Sequence, residues 1–228
     1  MQHSIVAGAL ALTVVTVAAA PARAQTMQTM QLGEVLVFTP SGPKPAVAPN
    51  THLLQADRGN RKGQMVVVWT GRIADAHPPA GDPVAASEYQ LLSPSTVGAL
   101  PAVDVLGIHY IKVRPERREA FERYVRETLH PAVGNLRPDL RLLYYKAVRG
   151  PDAGSYITVM ALTRASRDKY WPNGADSDDL RAAFKPVQPL TTGLLTYLVE
   201  GSALTDPKFA AAVFESREWT DFVLVPAR

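Results

Sequence analysis

The chain has 228 residues, of which 46% are hydrophobic, 20% charged and 7% aromatic. This composition is typical of a globular protein and excludes disordered, collagen-like and coiled-coil chains. The formal charge of +3, from 24 basic and 21 acidic residues, is too small to indicate a nucleic-acid-binding protein. Because the chain has no cysteine, disulfides, thiolate metal sites and cysteine nucleophiles are excluded.

The first 24 residues have the pattern of an export signal. An uncharged apolar run at 5–20 precedes Ala22-Arg23-Ala24, the small-x-small site that a signal peptidase needs. The run is shorter than the roughly 20 residues of a membrane span, although a buried N-terminal helix is an alternative. We expect cleavage after Ala24 and a periplasmic or secreted protein of 204 residues (228 − 24), with no membrane attachment after cleavage.

The first elements after this leader are a strand that ends at Pro40 and a hairpin over residues 54–70. The hairpin is predicted from an apolar strand and from a loop that contains Gly59 and Gly63. Between the strand and the hairpin, residues 41–50 carry three prolines, which break any helix there. We therefore expect the first half of the chain to lack one covering helix.

The clearest predicted helix spans residues 116–130. Its apolar residues, among them Phe121, Val125 and Leu129, recur at helical spacing and form one stripe. Pro131 marks the predicted end of this helix.

The elements around this helix give the second half a recognisable order. The pattern strand, helix, strand, strand, helices, strand is a ferredoxin-like split β-α-β arrangement. The strands are predicted at 105–113, 140–148, 155–162 and 219–225, and three further helices at 189–200 and after the caps Ser177 and Asp206.

An internal repeat relates the two halves. Residues 54–70 align without a gap with residues 145–161, at a constant offset shown by the loop arginines Arg58 and Arg149 (149 − 58 = 91). Five of the 17 aligned positions are identical, and three of these are the arginine and two glycines of the loop. Chance similarity between two turn-rich hairpins is the alternative.

A second match favours two copies of one unit. Leu32-Gly33 opens a strand that ends at Pro40, as Leu106-Gly107 opens one that ends at Pro115. The predicted domains are a signal peptide at 1–24, a truncated first copy at 25–100 and a complete second copy at 101–228.

Both faces of the predicted sheets are apolar. In residues 156–161 neither alternate set of side chains is strongly polar, and residues 66–69 have the same character. A four-stranded sheet with helices on one face must still cover the other face. We therefore expect the two sheets to need an apolar partner surface.

The second half resembles the dimeric α+β barrel superfamily, particularly its antibiotic-biosynthesis-monooxygenase and NIPSNAP-like branches. The resemblance implies an α+β fold with two ferredoxin-like antiparallel sheets that close face to face into a barrel, usually across a homodimer. Here two tandem degenerate copies are expected to form the (pseudo)dimeric barrel. The resemblance covers residues 104–226, with weaker support at 31–95, and it is carried by Ile108-His109-Tyr110-Ile111-Lys112-Val113-Arg114-Pro115, by the helix to Leu129-His130-Pro131 and by the strands 142–162 and 217–225.

The candidate site depends on which residues face the barrel interior. If Ile157, Val159 and Ala161 face the helices, the interior receives Tyr156, Thr158 and Met160, and by the repeat offset Met65, Val67 and Trp69. Depending on the strand register, the interior also receives His109 or Tyr110, and Tyr144 or Tyr145.

These residues supply the predicted chemistry. An imidazole near neutral pH is a natural acceptor for the proton of an acidic phenol or enol, and arginines can close a barrel mouth over an anionic ligand. The alternatives are a core histidine, packing aromatics and solvated turn arginines. The predicted catalytic residues are His109, Tyr110, Tyr144 and Tyr156, and the predicted ligand-binding residues are Trp69, Met160, Arg149 and Arg58.

The signal pattern predicts an exported protein, and the resemblance implies one that binds a small apolar or aromatic ligand. The resemblance further implies action on an aromatic or polyketide-like compound as an oxygenase, cyclase or isomerase, without a cofactor. Two alternatives stay open: a non-catalytic binding protein for an apolar ligand such as haem, and a scaffold whose sheet face serves dimerisation. The histidines lack metal-ligand spacing, and signatures of serine hydrolases, nucleotide triphosphatases and dinucleotide-binding proteins are absent. We predict no metal and no nucleic-acid partner; a homodimer stays open.

Overall fold

The described part of the chain contains the barrel and helices that cover it. The predicted signal peptide, the predicted helix after Asp206 and nearly all of the predicted helix at 189–200 lie outside it. No described helix is long and apolar enough to cross a membrane. The computed structural model describes residues 28–41, 49–74, 85–92, 100–133, 137, 139–190 and 219–226.

Eight antiparallel strands close into a barrel within one chain. The strands are β1 (Met30–Gln31), β2 (Val35–Pro40), β3 (Thr51–Gly59), β4 (Met65–Gly71), β5 (Ser87–Leu91), β6 (Ala102–Val103), β7 (Val105–Ile111), β8 (Leu140–Arg149), β9 (Tyr156–Leu162) and β10 (Trp219–Leu224). The barrel order is β10-β3-β4-β2-β5-β8-β9-β7, and β7 pairs back to β10. The two short strands β1 and β6 pair with each other outside the barrel.

The two halves of the barrel have the same strand order. The first half runs β5-β2-β4-β3 and the second β10-β7-β9-β8, so each places its fourth, first, third and second strand side by side. The halves meet where β5 pairs with β8 and where β10 pairs with β3. The predicted ferredoxin-like α+β barrel is thereby confirmed, and each sheet finds its apolar partner within the chain.

The two hairpin loops have one backbone geometry. The Gly63 N–H donates to the Ala56 carbonyl at 2.7 Å, and at the offset positions the Gly154 N–H donates to the Ala147 carbonyl at 2.9 Å. The first glycines of the loops, Gly59 and Gly150, have φ of 90° and 86°, a region in which residues with a Cβ are strained. The glycines matched in the sequence are therefore required by the same turn in both halves.

The junctions between the halves are also alike. A β-bulge interrupts β5 between Glu88 and Tyr89, and another interrupts β10 between Asp221 and Phe222. Tyr89 then lies opposite Ala147, and Phe222 lies opposite the offset position, Ala56. The strand β5, which the sequence analysis did not locate, is therefore the counterpart of β10.

The strand register corrects one part of the predicted repeat. Pro40 pairs with Val66, and Tyr110 pairs with Ile157, which is Val66 shifted by the offset. Pro40 therefore corresponds to Tyr110, and the predicted match between Pro40 and Pro115 is wrong. Two prolines that follow similar strands are not thereby equivalent, because equivalence depends on the strand register that the backbone hydrogen bonds define.

The predicted helix at 116–130 is confirmed but runs further. A 3₁₀ turn (Pro115–Arg117) leads into α1 (Arg118–Tyr124), a π-helical turn (Val125–Leu129) and α2 (His130–Val133). The predicted stripe Phe121, Val125 and Leu129 is fully buried. The predicted end at Pro131 is wrong, because the helix continues to Val133. Just before the proline, the π turn changes the hydrogen-bond spacing from i→i+4 to i→i+5, and Pro131 itself has no N–H to donate.

Two further α-helices follow β9 within residues 139–190. In α4 (Asp178–Phe184) the Ser177 side chain accepts a hydrogen bond from the Leu180 N–H, as predicted. The helix α3 (Arg164–Tyr170) was not predicted, although it has the same kind of cap, in which the Thr163 side chain accepts a hydrogen bond from the Ser166 N–H.

The barrel interior is one apolar cluster to which every strand contributes. Only the inside of a closed barrel can bring all eight strands together. One member from each strand, in chain order, is Leu36, Leu54, Val68, Tyr89, Ile108, Tyr145, Val159 and Phe222.

The predicted assignment of strand faces is reversed. Ile157, Val159 and Ala161 belong to the interior cluster, whereas Tyr156 packs outside against the helix with Phe121 and Val125. The sequence alone left both faces equally apolar, so alternation along the strand did not say which face was inside.

Candidate ligand-binding cavity

A cavity of about 160 Å³ lies at one end of the barrel interior. This is the end at which the β3–β4 and β8–β9 hairpin loops turn. Apolar side chains of β2, β4, β7 and β9 form its walls, and residues of the two loops and of the start of β5 form its mouth. The lining residues are Phe38, Pro40, Arg61, Gln64, Val66, Ala85, Ser87, Tyr89, Ile108, Tyr110, Pro151, Asp152 and Ile157.

The opposite end of the barrel is filled. Met30, Leu32 and Val103, from the β1–β6 pair and its flank, are buried in the interior cluster. The Tyr145 hydroxyl donates a hydrogen bond to the Gly33 carbonyl there at 3.0 Å. A ligand therefore has the end with the hairpin loops as its entrance.

The cavity surrounds the axis that relates the two halves. Its wall residues come in equivalent pairs, as the register and the loop offset define them. An axis of this kind places equivalent residues on opposite sides of a bound molecule. The pairs are Phe38 with Ile108, Pro40 with Tyr110, Val66 with Ile157 and Arg61 with Asp152.

Tyr89 and Asp152 form a hydrogen-bonded pair at the mouth. The Tyr89 hydroxyl donates to Asp152 Oδ2 at 2.6 Å, and the Phe38 ring meets the Tyr89 ring edge-on at 5.7 Å. Burial and the hydrogen bond to the Asp152 carboxylate raise the pKa of Tyr89 above its ordinary value. Tyr89 is therefore a protonated hydrogen-bond donor at neutral pH.

Arg61 and Tyr110 form the other polar group of the cavity. The Arg61 guanidinium lies 3.8 Å from the centre of the Tyr110 ring, which is cation–π distance. The Arg61 N–H donates to Thr220 Oγ1 at 3.3 Å, and the Asp152 N–H donates to Ser87 Oγ at the same distance. The two equivalent loop positions are thus held by equivalent contacts to β10 and β5.

One of the predicted catalytic residues lines the cavity, Tyr110. Tyr144 and Tyr156 lie outside the barrel: the Tyr144 ring is 5.3 Å from that of His130, and the Tyr156 hydroxyl donates to Glu122 Oε1 at 2.8 Å. Their predicted place in the interior is wrong, because both residues alternate with inward-facing neighbours.

His109 also lies on the outer face of its strand. Its neighbour Ile108 belongs to the interior cluster, and His109 itself is paired in the ladders with Thr158 and Trp219. Burial lowers the pKa of His109 to about 4, so the imidazole is neutral at pH 7. It is not among the residues that line the cavity; of the two alternatives, His109 or Tyr110, the register places Tyr110 inside.

The predicted ligand-binding residues lie away from the cavity lining. Trp69 packs on the outer face with Val35 and Val37. Met160 packs on the outer face as well, with Val105 and Leu162. Both residues were expected inside because the predicted strand faces are the reverse of the observed ones.

The predicted loop arginines are engaged elsewhere. Arg58 forms an ion pair with Asp168 at 3.2 Å. Arg149 is 76% exposed and lies 3.9 Å from Glu88. The loop arginine that lines the cavity is Arg61.

Arg61, Asp152 and Tyr89 were not among the predicted site residues. The repeat offset contained a signal for the first two, because it makes Arg61 and Asp152 equivalent and they differ in charge. Tyr89 had no signal, because its strand was not located.

The donor groups and the size of the cavity limit what it can hold. Among the described residues no group of three or more His, Asp or Glu side chains is arranged to hold a metal ion. The cavity is smaller than the roughly 300–1,000 Å³ of sites for drug-sized ligands. A haem does not fit a space of this size, and no histidine lines it.

Comparison with known proteins returned structural neighbours alone. No family model and no curated protein matches the chain. The chain is similar to an uncharacterized ferredoxin-fold protein related to antibiotic biosynthesis monooxygenases from Listeria monocytogenes 4b F2365, at 18% identity over 86% of this chain and 96% of that one, with a TM-score of 0.42. It is also similar to an anthrone oxidase-like protein, at 12% identity over 85% and 91%, with a TM-score of 0.41.

Proposed function

We propose that the protein binds a small aromatic compound inside the barrel and acts on it, without a bound cofactor, as an oxygenase, cyclase or isomerase. The observation that carries this proposal is the cavity, which has apolar walls and a mouth with a few convergent polar groups. Such a combination is the usual makeup of a small-molecule site.

The volume points to a compound with one ring. An engineered cavity of roughly 150 Å³ in another protein takes up benzene, and this cavity has about 160 Å³. The edge-on contact of Phe38 with Tyr89 shows that aromatic rings already pack here. A fused polyketide-like ring system is larger than the space.

Asp152 is the carboxylate at this cavity that can accept a proton from an acidic phenol or enol. Tyr89 holds one of its oxygens by a hydrogen bond of 2.6 Å, which orients the carboxylate. Arg61, on the equivalent position of the other half, supplies the positive charge that stabilises the resulting oxyanion. Asp152 thus takes the role for which the sequence suggested His109.

Binding is tested by filling the cavity. Toluene is the probe, and its affinity is measured by calorimetry for the wild type, Val66→Phe and Val148→Phe. Val66 lines the cavity, whereas Val148 is exposed at the surface and serves as the matched control for the added ring. We expect toluene to bind the wild type and Val148→Phe, and to lose at least about tenfold in affinity for Val66→Phe. Equal affinity for all three proteins contradicts the proposal.

Catalysis is tested with hydroquinone as the probe. Its oxidation by O₂ gives benzoquinone and hydrogen peroxide, so oxygen uptake reports the reaction. We expect Asp152→Asn to slow this uptake by roughly a hundredfold, as removal of a general base does, and to leave toluene affinity unchanged. Toluene binding without any turnover favours the non-catalytic binding protein instead.

Export is a separate part of the proposal. It is supported by the uncharged run at 5–20 and by the small residues Ala22 and Ala24. Mass spectrometry of the protein from its native host is expected to show a chain that begins at Gln25, and Ala24→Leu is expected to leave the precursor uncleaved. A mature protein that retains residues 1–24 contradicts it.

A further inference from the structure

The two halves of the cavity differ in polarity at equivalent positions. The wall pairs Phe38 with Ile108 and Val66 with Ile157 are apolar on both sides of the axis. At the mouth, in contrast, one loop supplies the cation Arg61 and the other supplies the anion Asp152. The walls thus offer apolar contacts to both sides of a ligand, whereas the mouth offers a cation on one side and an anion on the other.

We infer that Arg61 and Asp152 form a two-signed recognition pair that selects an uncharged aromatic compound with a hydrogen-bond donor at one edge of the ring and an acceptor at the opposite edge. This inference rests on the proposed function, because it concerns the ligand of the same cavity.

Asp152 has capacity left to accept a hydrogen bond from a ligand. The Tyr89 hydroxyl occupies Oδ2, and the Asp152 N–H is held by Ser87 Oγ, so the carboxylate has a defined orientation. Within the described residues, Oδ1 has no hydrogen bond. A carboxylate accepts only, so the matching group on the ligand is an O–H or N–H.

Arg61 is the corresponding donor. Its guanidinium carbon lies 3.8 Å from the centre of the Tyr110 ring, and its N–H groups can donate to an acceptor in the cavity that Arg61 lines. No carboxylate within the described ranges forms an ion pair with Arg61. The matching group on the ligand is a carbonyl or another uncharged acceptor.

The opposite charges of Arg61 and Asp152 also favour an uncharged ligand. An anion attracted by Arg61 meets the negative charge of Asp152, and a cation attracted by Asp152 meets Arg61. In an apolar cavity either charge is desolvated at a cost. A neutral molecule with one donor and one acceptor uses both side chains and brings no charge.

Phe222, at the position equivalent to Tyr89, indicates that Tyr89→Phe will fold. Phe222 occupies in β10 the position of Tyr89 in β5, and it is fully buried in the same cluster. Tyr89→Phe therefore introduces a side chain that this barrel already accommodates at the equivalent position. It removes only the hydroxyl that orients Asp152.

The test compares ligands that differ by one polar group. Toluene, benzaldehyde, 4-hydroxybenzaldehyde and benzoate are titrated at mildly acidic pH, at which the hydroxyl of 4-hydroxybenzaldehyde stays protonated. We expect 4-hydroxybenzaldehyde to bind about tenfold or more tightly than toluene, as hydrogen bonds to charged groups imply. Benzoate is expected to bind more weakly than 4-hydroxybenzaldehyde.

The variants assign each gain to one side chain. Asp152→Asn and Tyr89→Phe are expected to remove the gain from the hydroxyl, and Arg61→Gln the gain from the aldehyde. Lys62→Gln, in the same loop as Arg61 but outside the cavity lining, is the matched control and is expected to change nothing.

The outcomes separate the inference from the function on which it rests. If toluene binds as tightly as 4-hydroxybenzaldehyde, or if benzoate binds most tightly, the recognition pair is refuted while the cavity remains a binding site. If the Lys62→Gln control reduces the gain as much as Arg61→Gln does, the assignment to Arg61 is refuted. If no probe binds, the proposed function fails as well.

Discussion

Asp221 offers a quantitative test of the electrostatics at the junction of the two halves. It is 8% exposed and lies on the outer face of β10, next to the inward-facing Phe222. Burial raises the pKa of Asp221 to about 6; the nearby Arg167 and Arg58 oppose this shift and Asp57 adds to it. We predict that Asp221→Asn stabilises the protein at neutral pH.

The magnitude follows from the difference in pKa between the folded and unfolded states. In the unfolded chain the carboxyl titrates at its ordinary value of 3.8. Between that pH and about 6 the folded state binds more protons, so the free energy of unfolding falls as the pH rises through this window. A pKa difference of about two units corresponds to about 3 kcal/mol of unfolding free energy. The wild type loses this stability above pH 6, whereas Asp221→Asn keeps it because the amide does not ionise.

The pKa values of two histidines, His109 and His130, change the stability in the same pH window with the opposite sign. Burial lowers the pKa of His109 to about 4, and burial together with the Arg141 charge lowers that of His130 to about 4. The unfolded state therefore binds more protons below pH 6.5, and these groups reduce stability as the pH falls. Because the wild type and Asp221→Asn share this contribution, their difference isolates Asp221.

The assay is urea unfolding followed by tryptophan fluorescence at several pH values from 4 to 7. We expect the free energy of unfolding of Asp221→Asn to exceed that of the wild type by about 2–3 kcal/mol at pH 7, and the gap to close towards pH 4. Asp168→Asn, which changes an exposed partner of Arg58, is the control and is expected to shift stability by less than about 1 kcal/mol. A gap that is constant with pH, or of the opposite sign at pH 7, refutes the reasoning.

Two further predictions concern the loops and the outer face. Gly150→Ala should lower the melting temperature far more than Gly63→Ala. Both glycines have a positive φ, so both variants carry backbone strain. A Cβ at position 150 would also lie 1.9 Å from the Ala86 carbonyl oxygen, whereas a Cβ at position 63 would meet nothing within 4 Å. We expect about 1–2 kcal/mol for Gly63→Ala from the backbone strain alone, and equal losses in both variants would contradict the packing argument. His109→Ala should leave toluene affinity and hydroquinone turnover within about twofold of the wild type, because His109 does not line the cavity. Lost turnover with retained toluene binding would return His109 to the mechanism.

Local patterns in the sequence determined the elements that depend on neighbouring residues. The stripe Phe121, Val125 and Leu129 predicted the main helix because side chains four apart share one face whatever the rest of the chain does. Gly59 and Gly150 predicted the two hairpin loops because each turn needs a positive φ that glycine adopts without strain. Ser177 predicted a helix start for a similarly local reason.

The strand faces and register were decided only by closure of the barrel. Both alternate sets in residues 156–161 are apolar, so the sequence contained no preference for the inside, and Tyr156 and Ile157 exchanged their expected places. The same closure moved Tyr144 and His109 to the outer face. Side chains alternate between the two faces of a strand, so a strand with two apolar faces can place either face inside the barrel.

The sequence by itself therefore determined the main helix, the helix start at Ser177, the hairpin loops and the ferredoxin-like order, and its export signal stays a prediction. The tertiary structure alone decided the candidate site. Arg61, Tyr89 and Asp152 are far apart in sequence and meet because β5 pairs with β8 and β10 with β3. Such pairings depend on hydrogen bonds and packing between distant segments, which no local pattern records.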